Sequence, residues 1–362
     1  MPRRTATMLA STLMLFALLC AGVFMKVPYS EMSPGPTVNT LGDSHGEPVL
    51  NISGHKTYPT TGHLNMTTVR VTGADYDMNL LEAVYGWAAG DNIVVPHENL
   101  YPDGKTDQES TQENAEEFSQ SQESAKVAAL KQIGIPVASR VVVSSVVKGS
   151  PSEGKLHAGD VIKSVDGAPV TAPEDVAKLV TKHKPGEPVE FLIVPTAEAA
   201  EAEKANREPT ATTKITVVAG KAGPEGRAVV GIRAGTDHTF PFTIDIKLAD
   251  VGGPSAGLMF SLGIVDKLTP ENLTGGKFIA GTGTIDDAGK VGPIGGIQMK
   301  TIGARQAGAE YFLTPADNCA SALTNVPDGL KLVKVATIDD AVKALQKISK
   351  GDTAGLPQCT KP

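Results

Sequence analysis

The rhythm of apolar and polar positions changes several times along the chain, and each change marks an element. Thr5 to Met25 is an apolar run without a charged residue, rich in Leu, Ala, Met and Phe. As a helix it would be roughly 30 Å long, about the thickness of a bilayer core. Residues 27–60 show no period and are rich in Pro, Gly, Ser and Thr, as in Ser33-Pro34-Gly35-Pro36, so they read as a stalk. The β-branched run Thr67-Thr68-Val69-Arg70-Val71 predicts a strand from Leu64 to Val71. Within 79–98, Leu80, Leu81, Val84 and Trp87 are spaced for an amphipathic helix. Asp107 to Glu123 is polar and acidic and runs into Ala125-Lys126-Val127-Ala128-Ala129-Leu130, which predicts a helix emerging from a solvated stretch.

Residues 140–195 alternate strand and turn signals. Arg140 to Val147 predicts a strand, followed by a turn at Gly149-Ser150-Pro151 and the segment Leu156-His157-Ala158-Gly159-Asp160-Val161-Ile162. Val165-Asp166-Gly167 is a hairpin signal, a short helix covers Glu174–Lys182, and Pro185-Gly186 turns into the strand Val189–Val194. In this order the segments resemble a PDZ domain of the form found in exported bacterial proteases. The resemblance implies capture of an extended peptide as an added strand on a sheet edge. The peptide-binding loop is expected just before the first strand, at Gly134, Ile135 and Val137, where Pro136 removes one N–H donor. A purely structural β-domain is the alternative. Residues 196–212 read as an inserted hairpin or helix before a strand at Lys214–Val218.

Composition narrows the setting. Of 362 residues 41% are hydrophobic, 20% charged and only 4% aromatic, so cores built from Val, Ile, Leu and Ala are expected. A net charge of -7 argues against a nucleic-acid partner, which calls for a basic face. Arg3 and Arg4 precede the first apolar run, whereas Lys26 is soon followed by Glu31. The positive-inside bias then places the N-terminus in the cytoplasm and the rest outside, as a single-pass protein of the cell membrane. A cleaved signal peptide is the rival reading, although Leu19-Cys20-Ala21-Gly22-Val23 offers a poor cleavage site. Of the three cysteines only Cys319 and Cys359 fall in the exported portion. A disulfide between them is expected there, two unrelated thiols being the alternative. No Cys/His spacing suggests a metal.

The chemistry gathers late in the chain. Gly253-Pro254-Ser255-Ala256-Gly257 fits the G-x-S-x-G elbow of α/β hydrolases, but that fold needs a histidine after the serine, and the last of the seven histidines is His238. A lysine brought down in pKa by burial can serve as base instead. Lys267 lies twelve positions further along the helix that Ser255 should open, roughly 18 Å away and out of reach. Lys277 and Lys290 fall near turns. Lys300 follows the tight turn Gly292-Pro293-Ile294-Gly295-Gly296 among Ile297, Met299 and Ile302, where a dry pocket can hold it. A surface lysine is the alternative for Lys300 taken alone.

Gly252–Gly257 and Pro293–Lys300, with Thr282-Gly283-Thr284-Ile285 between them, resemble the catalytic domain of Lon proteases over roughly Val229 to Val342. The resemblance implies Ser255 as nucleophile, Lys300 as general base and Thr282 as the hydroxyl supporting the lysine. An acidic residue commonly stands three before the serine in that family; here it is Gly252, with Asp250 out of register. An oxyanion hole is expected at the backbone N–H groups of Gly253, Ser255 and Ala256. The strand Phe240–Leu248 is read as a substrate edge or an ordinary core strand. Family members form six-membered rings, so a homo-hexamer is implied. Gly283 to Lys290 is one residue too long for a phosphate loop, and Val291 stands where Ser or Thr must bind magnesium, so no nucleotide and no cofactor is expected.

These readings add up to a multidomain chain: an N-terminal transmembrane helix (1–26), a stalk and exported region (27–124), a PDZ-like β-rich domain with short helices (125–220), a C-terminal α/β Lon-type proteolytic domain (221–350) and a tail (351–362). The expected function is an ATP-independent serine endopeptidase acting on exported polypeptides. The alternative is a non-proteolytic, membrane-tethered peptide sensor.

Overall fold

The computed structural model describes residues 3–102, 106–205, 207, 209–223, 226–249 and 251–360; Asp250 and the chain ends fall outside them. In chain order come α1 (Arg3–Phe24), β1 (Tyr29–Asn39), β2 (Leu50–Ser53), β3 (His63–Val71), α2 (Leu80–Ala88), β4 (Ile93–Pro96) and α3 (Asp107–Gln132). There follow β5 (Ala138–Val146), β6 (Val161–Val165), α4 (Pro173–Val180), β7 (Pro188–Val194), α5 (Thr196–Lys204), β8 (Thr213–Val218) and β9 (Ile232–Thr239). The last third holds β10 (Thr243–Ile246), α6 (Gly257–Leu268), β11 (Phe278–Gly281), α7 (Ile297–Gln306), β12 (Tyr311–Pro315), α8 (Cys319–Ala322), β13 (Lys331–Val335) and α9 (Ile338–Ser349).

The chain divides into two compact units. One joins Met1–Ile135 to Phe242–Pro362, and the other is Pro136–Pro241. The units change at Ile135/Pro136 and Pro241/Phe242 rather than at the expected 125 and 221. The stretch read as a stalk supplies β1, which pairs with β3 in a six-stranded sheet of order β13-β12-β11-β3-β1-β4. Pro34-Gly35-Pro36 had disguised it. The register of β1 against β3 shifts between Pro34 and Thr37, and such an irregularity is where a strand tolerates prolines that lack an N–H. Residues 229–239, read as the start of the catalytic domain, belong to the inserted unit instead.

In the first unit β3 is the hinge of the sheet: β1 runs antiparallel to it and β11 parallel, with β12 and β13 continuing the parallel half. α7 packs on β1 and β3, while α6 packs against α3 and α9. All but one residue of α6 is buried, so this helix carries no amphipathic signature. Thr106 and Glu109 make a capping box at the start of α3. The polar run and the apolar run that follows it are one helix of 26 residues. The substrate strand read over Phe240–Leu248 is shorter: β10 spans Thr243–Ile246 and pairs with β2.

The second unit is an antiparallel sheet of order β8-β7-β6-β5-β9 around Val143, Leu156, Ile162, Val189 and Phe191. α4 closes one side, where Val176 and Val180 join that core. The predicted strands and both helical segments form close to where they were expected. The tail is not loose. Cys359 is disulfide-bonded to Cys319, and the Lys334 N–H donates to the Pro357 carbonyl beside β13.

Candidate active site

Three segments far apart in sequence meet at one buried amine. Gly296, in a left-handed conformation (φ +67°), turns the chain into α7 and sets Lys300 one turn inside that helix. There the residue is 3% exposed. Its Nζ lies 2.6 Å from Ser255 Oγ, 3.0 Å from the Thr67 carbonyl on β3 and 3.2 Å from Thr282 Oγ1. Thr282 directly follows β11, and the parallel pairing of β11 with β3 brings it level with Thr67. The Thr282 hydroxyl donates to the Ser255 carbonyl at 3.0 Å, and the Gly283 N–H donates to the same oxygen at 2.9 Å. The nucleophile's backbone is thereby fixed from two sides.

Three contacts would serve the three N–H donors of an ammonium, and they also serve a neutral amine. Such a group has two N–H donors and one lone pair. The Thr67 carbonyl takes one N–H. Thr282 Oγ1, whose own hydrogen is committed to Ser255, takes the other. The lone pair is left facing the Ser255 hydroxyl. Burial pushes the Lys300 pKa down to about 7, because an ammonium in that pocket forfeits its hydration.

The site opens into a cleft of about 300 Å³ lined by Pro36, Met66, Thr68 to Arg70, Val251, Gly252, Ser255 and Ala256. Of the expected oxyanion donors, Ser255 and Ala256 precede α6, and among the described residues no hydrogen bond occupies their N–H groups. Gly253 differs: its N–H donates to the Asn114 carbonyl of α3 at 2.8 Å, so it is not free to hold an oxyanion here. α3 also explains Gly252. A Cβ at that position would meet Asn114 Cβ at 2.8 Å, leaving no room for the acidic residue common in the family. Lower on α3, the Ser121 hydroxyl donates to the Pro254 carbonyl at 2.9 Å.

The groups set aside in the sequence, and one expected loop, lie elsewhere. Lys267 sits in the last turn of α6, and Gly283 to Lys290 forms a hairpin turn whose Asp286 carboxylate accepts from the Ala288 and Lys290 N–H groups. Gly134 and Ile135 are not a peptide-binding loop. Their N–H groups donate to the Lys131 and Leu130 carbonyls, which makes them the C-cap of α3, and Gly134 has the positive φ that cap requires. Val137 is not on the groove of the second unit either. That groove, about 460 Å³, runs between α4 (Val176, Ala177, Val180) and the segment Arg227–Ile232 with Ala234. Its open edge is β9, the end strand of the sheet. The supporting carbonyl of Thr67 had no signal in the sequence, since any residue type supplies one.

Comparison with known proteins bears on this arrangement directly. Residues 249–347 match the Lon protease (S16) C-terminal proteolytic domain, and residues 113–198 match the PDZ domain. The chain carries a Lon proteolytic domain and a PDZ domain. Over 94 residues it is 39% identical to the Lon protease of Azospirillum brasilense, covering 25% of this chain and 11% of that protein. It is 38% identical over 95 residues to the Lon protease of Campylobacter concisus (25% and 12%), and 36% identical over 94 to the mitochondrial Lon protease homolog of Drosophila melanogaster (25% and 9%). The matched stretch thus spans about a tenth of each relative. The Lon match takes in Ser255, Thr282 and Lys300, and the PDZ match stops before β9.

Proposed function

We propose that this chain is a serine endopeptidase working through Ser255 and Lys300. The observation that carries the reading is the set of three contacts on Lys300 Nζ, which fit a neutral amine with its lone pair on the Ser255 hydroxyl. Lys300 takes the Ser255 proton as Oγ attacks the carbonyl carbon of a peptide bond. The resulting oxyanion is held by the N–H groups of Ser255 and Ala256 at the start of α6, where the helix dipole adds to them. The protonated Lys300 then gives its proton to the leaving amine. Water, deprotonated by the same lysine, releases the acyl group from Ser255.

The Asn114 contact marks a resting arrangement. When α3 or the loop shifts, Gly253 becomes a third oxyanion donor. The protease needs no nucleotide. α1 tethers it to a membrane with the catalytic unit on the outer side, a setting that suits the Cys319–Cys359 disulfide. The PDZ groove recruits polypeptide by adding it as a strand to β9, and the Lon resemblance carries a homo-hexamer with it.

The test is cleavage of an unfolded polypeptide, together with labelling by a serine-reactive phosphonate, in the parent, Ser255→Ala and Lys300→Ala. Loss of both signals in each variant supports the mechanism; cleavage at the parent rate in either ends it. A peptide sensor without peptidase activity has the open groove in its favour, and it would show tight peptide binding with no acyl-enzyme.

A further inference from the structure

α2 displays an apolar face that the protein leaves uncovered. Val84, Tyr85 and Trp87 are 49%, 71% and 55% exposed, whereas Ala83 and Gly86 on the other side are buried. Trp87 is held in place by an edge-on contact with Tyr29, their centroids 5.3 Å apart. A capping box of Asn79 and Glu82 fixes the start of the helix. The face is therefore presented by an ordered element.

The position of α2 names what covers that face. The last turn of α1 rests on it, with Gly22 so close to Leu81 that a Cβ there would lie 3.0 Å from the leucine side chain. The chain leaves α1 and pairs at once: the Leu80 N–H donates to the Met25 carbonyl, and the Val27 N–H donates to the Met78 carbonyl. α1 carries the apolar stretch Thr7–Phe24, of mean hydropathy 2.1 and almost entirely unburied. Its 22 residues give a length of roughly 33 Å, close to one bilayer core. If α1 spans, Phe24 lies at the boundary of the hydrocarbon, and α2 begins one residue later in space. Tyrosine and tryptophan are the side chains favoured at that depth, with ring bodies in the acyl region and polar tips in the headgroups.

We infer that α2 is a membrane-surface anchor, seated in the outer leaflet of the bilayer that α1 crosses, with Val84, Tyr85 and Trp87 as its lipid contacts. The inference rests on the reading of α1 as a retained span. Recognition is apolar and aromatic. Lys26, between the two helices, is ion-paired with Asp77, and Glu82 lies on α2 itself, so zwitterionic lipid suffices. Two attachments tied together by the Met25–Leu80 and Val27–Met78 hydrogen bonds would hold the first unit at a fixed height above the bilayer.

Trp87 is the single tryptophan of the chain, so its fluorescence reads this site alone. The full chain is reconstituted in phosphatidylcholine vesicles bearing a nitroxide either near the headgroup or near the acyl terminus. Quenching should be roughly two-fold stronger from the shallow nitroxide, as befits an interfacial ring, with weak quenching by iodide on both sides. Val84→Asp combined with Tyr85→Ser should expose Trp87 to iodide while cleavage of a short peptide in detergent is retained. Vesicle flotation separates the two ideas. A chain that floats but whose Trp87 ignores both nitroxides and yields to iodide overturns the anchor and leaves the span. Protection from lipid and iodide alike overturns it too, in favour of a second protein copy on this face. A chain that fails to float overturns both.

Discussion

At the residue scale the proposed chemistry turns on one proton. Lys300 has a pKa brought down to about 7 by burial, so its neutral form dominates above that pH. The kcat/KM for peptide cleavage should rise through pH 7 and level off; a profile flat between pH 5.5 and 8.5 would remove Lys300 as the base. The same burial costs stability. Because the folded pKa lies below that of an unfolded lysine, the unfolded chain binds the extra proton, and stability increases with pH between about 7 and the ordinary lysine value of ~10.4. Lys300→Met, close in shape and uncharged, should therefore be inactive yet more stable than the parent at pH 6. The gain is about 5 kcal/mol by linkage at pH 6 and shrinks toward pH 10. Urea titrations of both proteins at the two pH values check the sign. Ser255, Thr282 and Lys300 could be singled out as candidates because each offers its own side-chain chemistry, and the structure brings the three into contact. The Thr67 carbonyl could not be singled out, and neither could the Asn114 carbonyl that occupies the Gly253 N–H.

At the scale of elements, legibility followed how each segment is buried. Elements with one face out of the core, such as α2, α4 and β7, declared themselves by apolar spacing or by the turns that bound them. β1 hid because its two prolines sit at the irregularity facing Thr68, and a Cβ on Gly35 there would meet Thr68 Oγ1 at 2.2 Å. Gly134 and Ile135 were misplaced because a helix C-cap and a turn before a strand use the same glycine. α3 is the element whose role grew most. Its acidic half was read as merely solvated, yet Asn114 and Ser121 hold Gly253 and Pro254, the two residues that lead into Ser255. Ser121→Ala removes one hydrogen bond to that turn without touching the reacting atoms, a loss of about 1 kcal/mol. Peptide cleavage should fall roughly five-fold while the pH midpoint set by Lys300 stays in place. A shifted midpoint would instead mean that α3 acts on the base.

At the scale of the whole molecule, the division of the chain escaped a linear reading because one unit is inserted within the other. The catalytic unit is built from both ends of the chain, and no local signal announces that β1 and β3 will pair beside α7. Order in sequence and order in space also part company within the inserted unit. Its groove is walled by α4 and by Arg227–Ile232, but the strand forming the open edge comes last. The disulfide closes the other end of the chain. Bridging Cys319 to Cys359 across a separation of 40 residues restrains the unfolded state by about 4 kcal/mol in the chain-entropy description. Cys319→Ser should lower the urea midpoint accordingly, and an unchanged midpoint would make the tail dispensable.

The division also lets recruitment be separated from chemistry. Ala177 is an exposed position on α4 that faces the groove and lies on a different compact unit from Ser255. Ala177→Glu places a charge where an added strand must pack its side chains, and it disturbs no buried contact. If the groove collects substrate, the KM for an unfolded protein should rise on the order of ten-fold, the effect of about 1.4 kcal/mol of lost binding. The kcat for a short peptide that bypasses the groove should remain at the parent value. Equal kinetics on both substrates would detach the PDZ domain from recruitment. A parallel fall in kcat on both would mean instead that the state of the PDZ domain reaches Ser255.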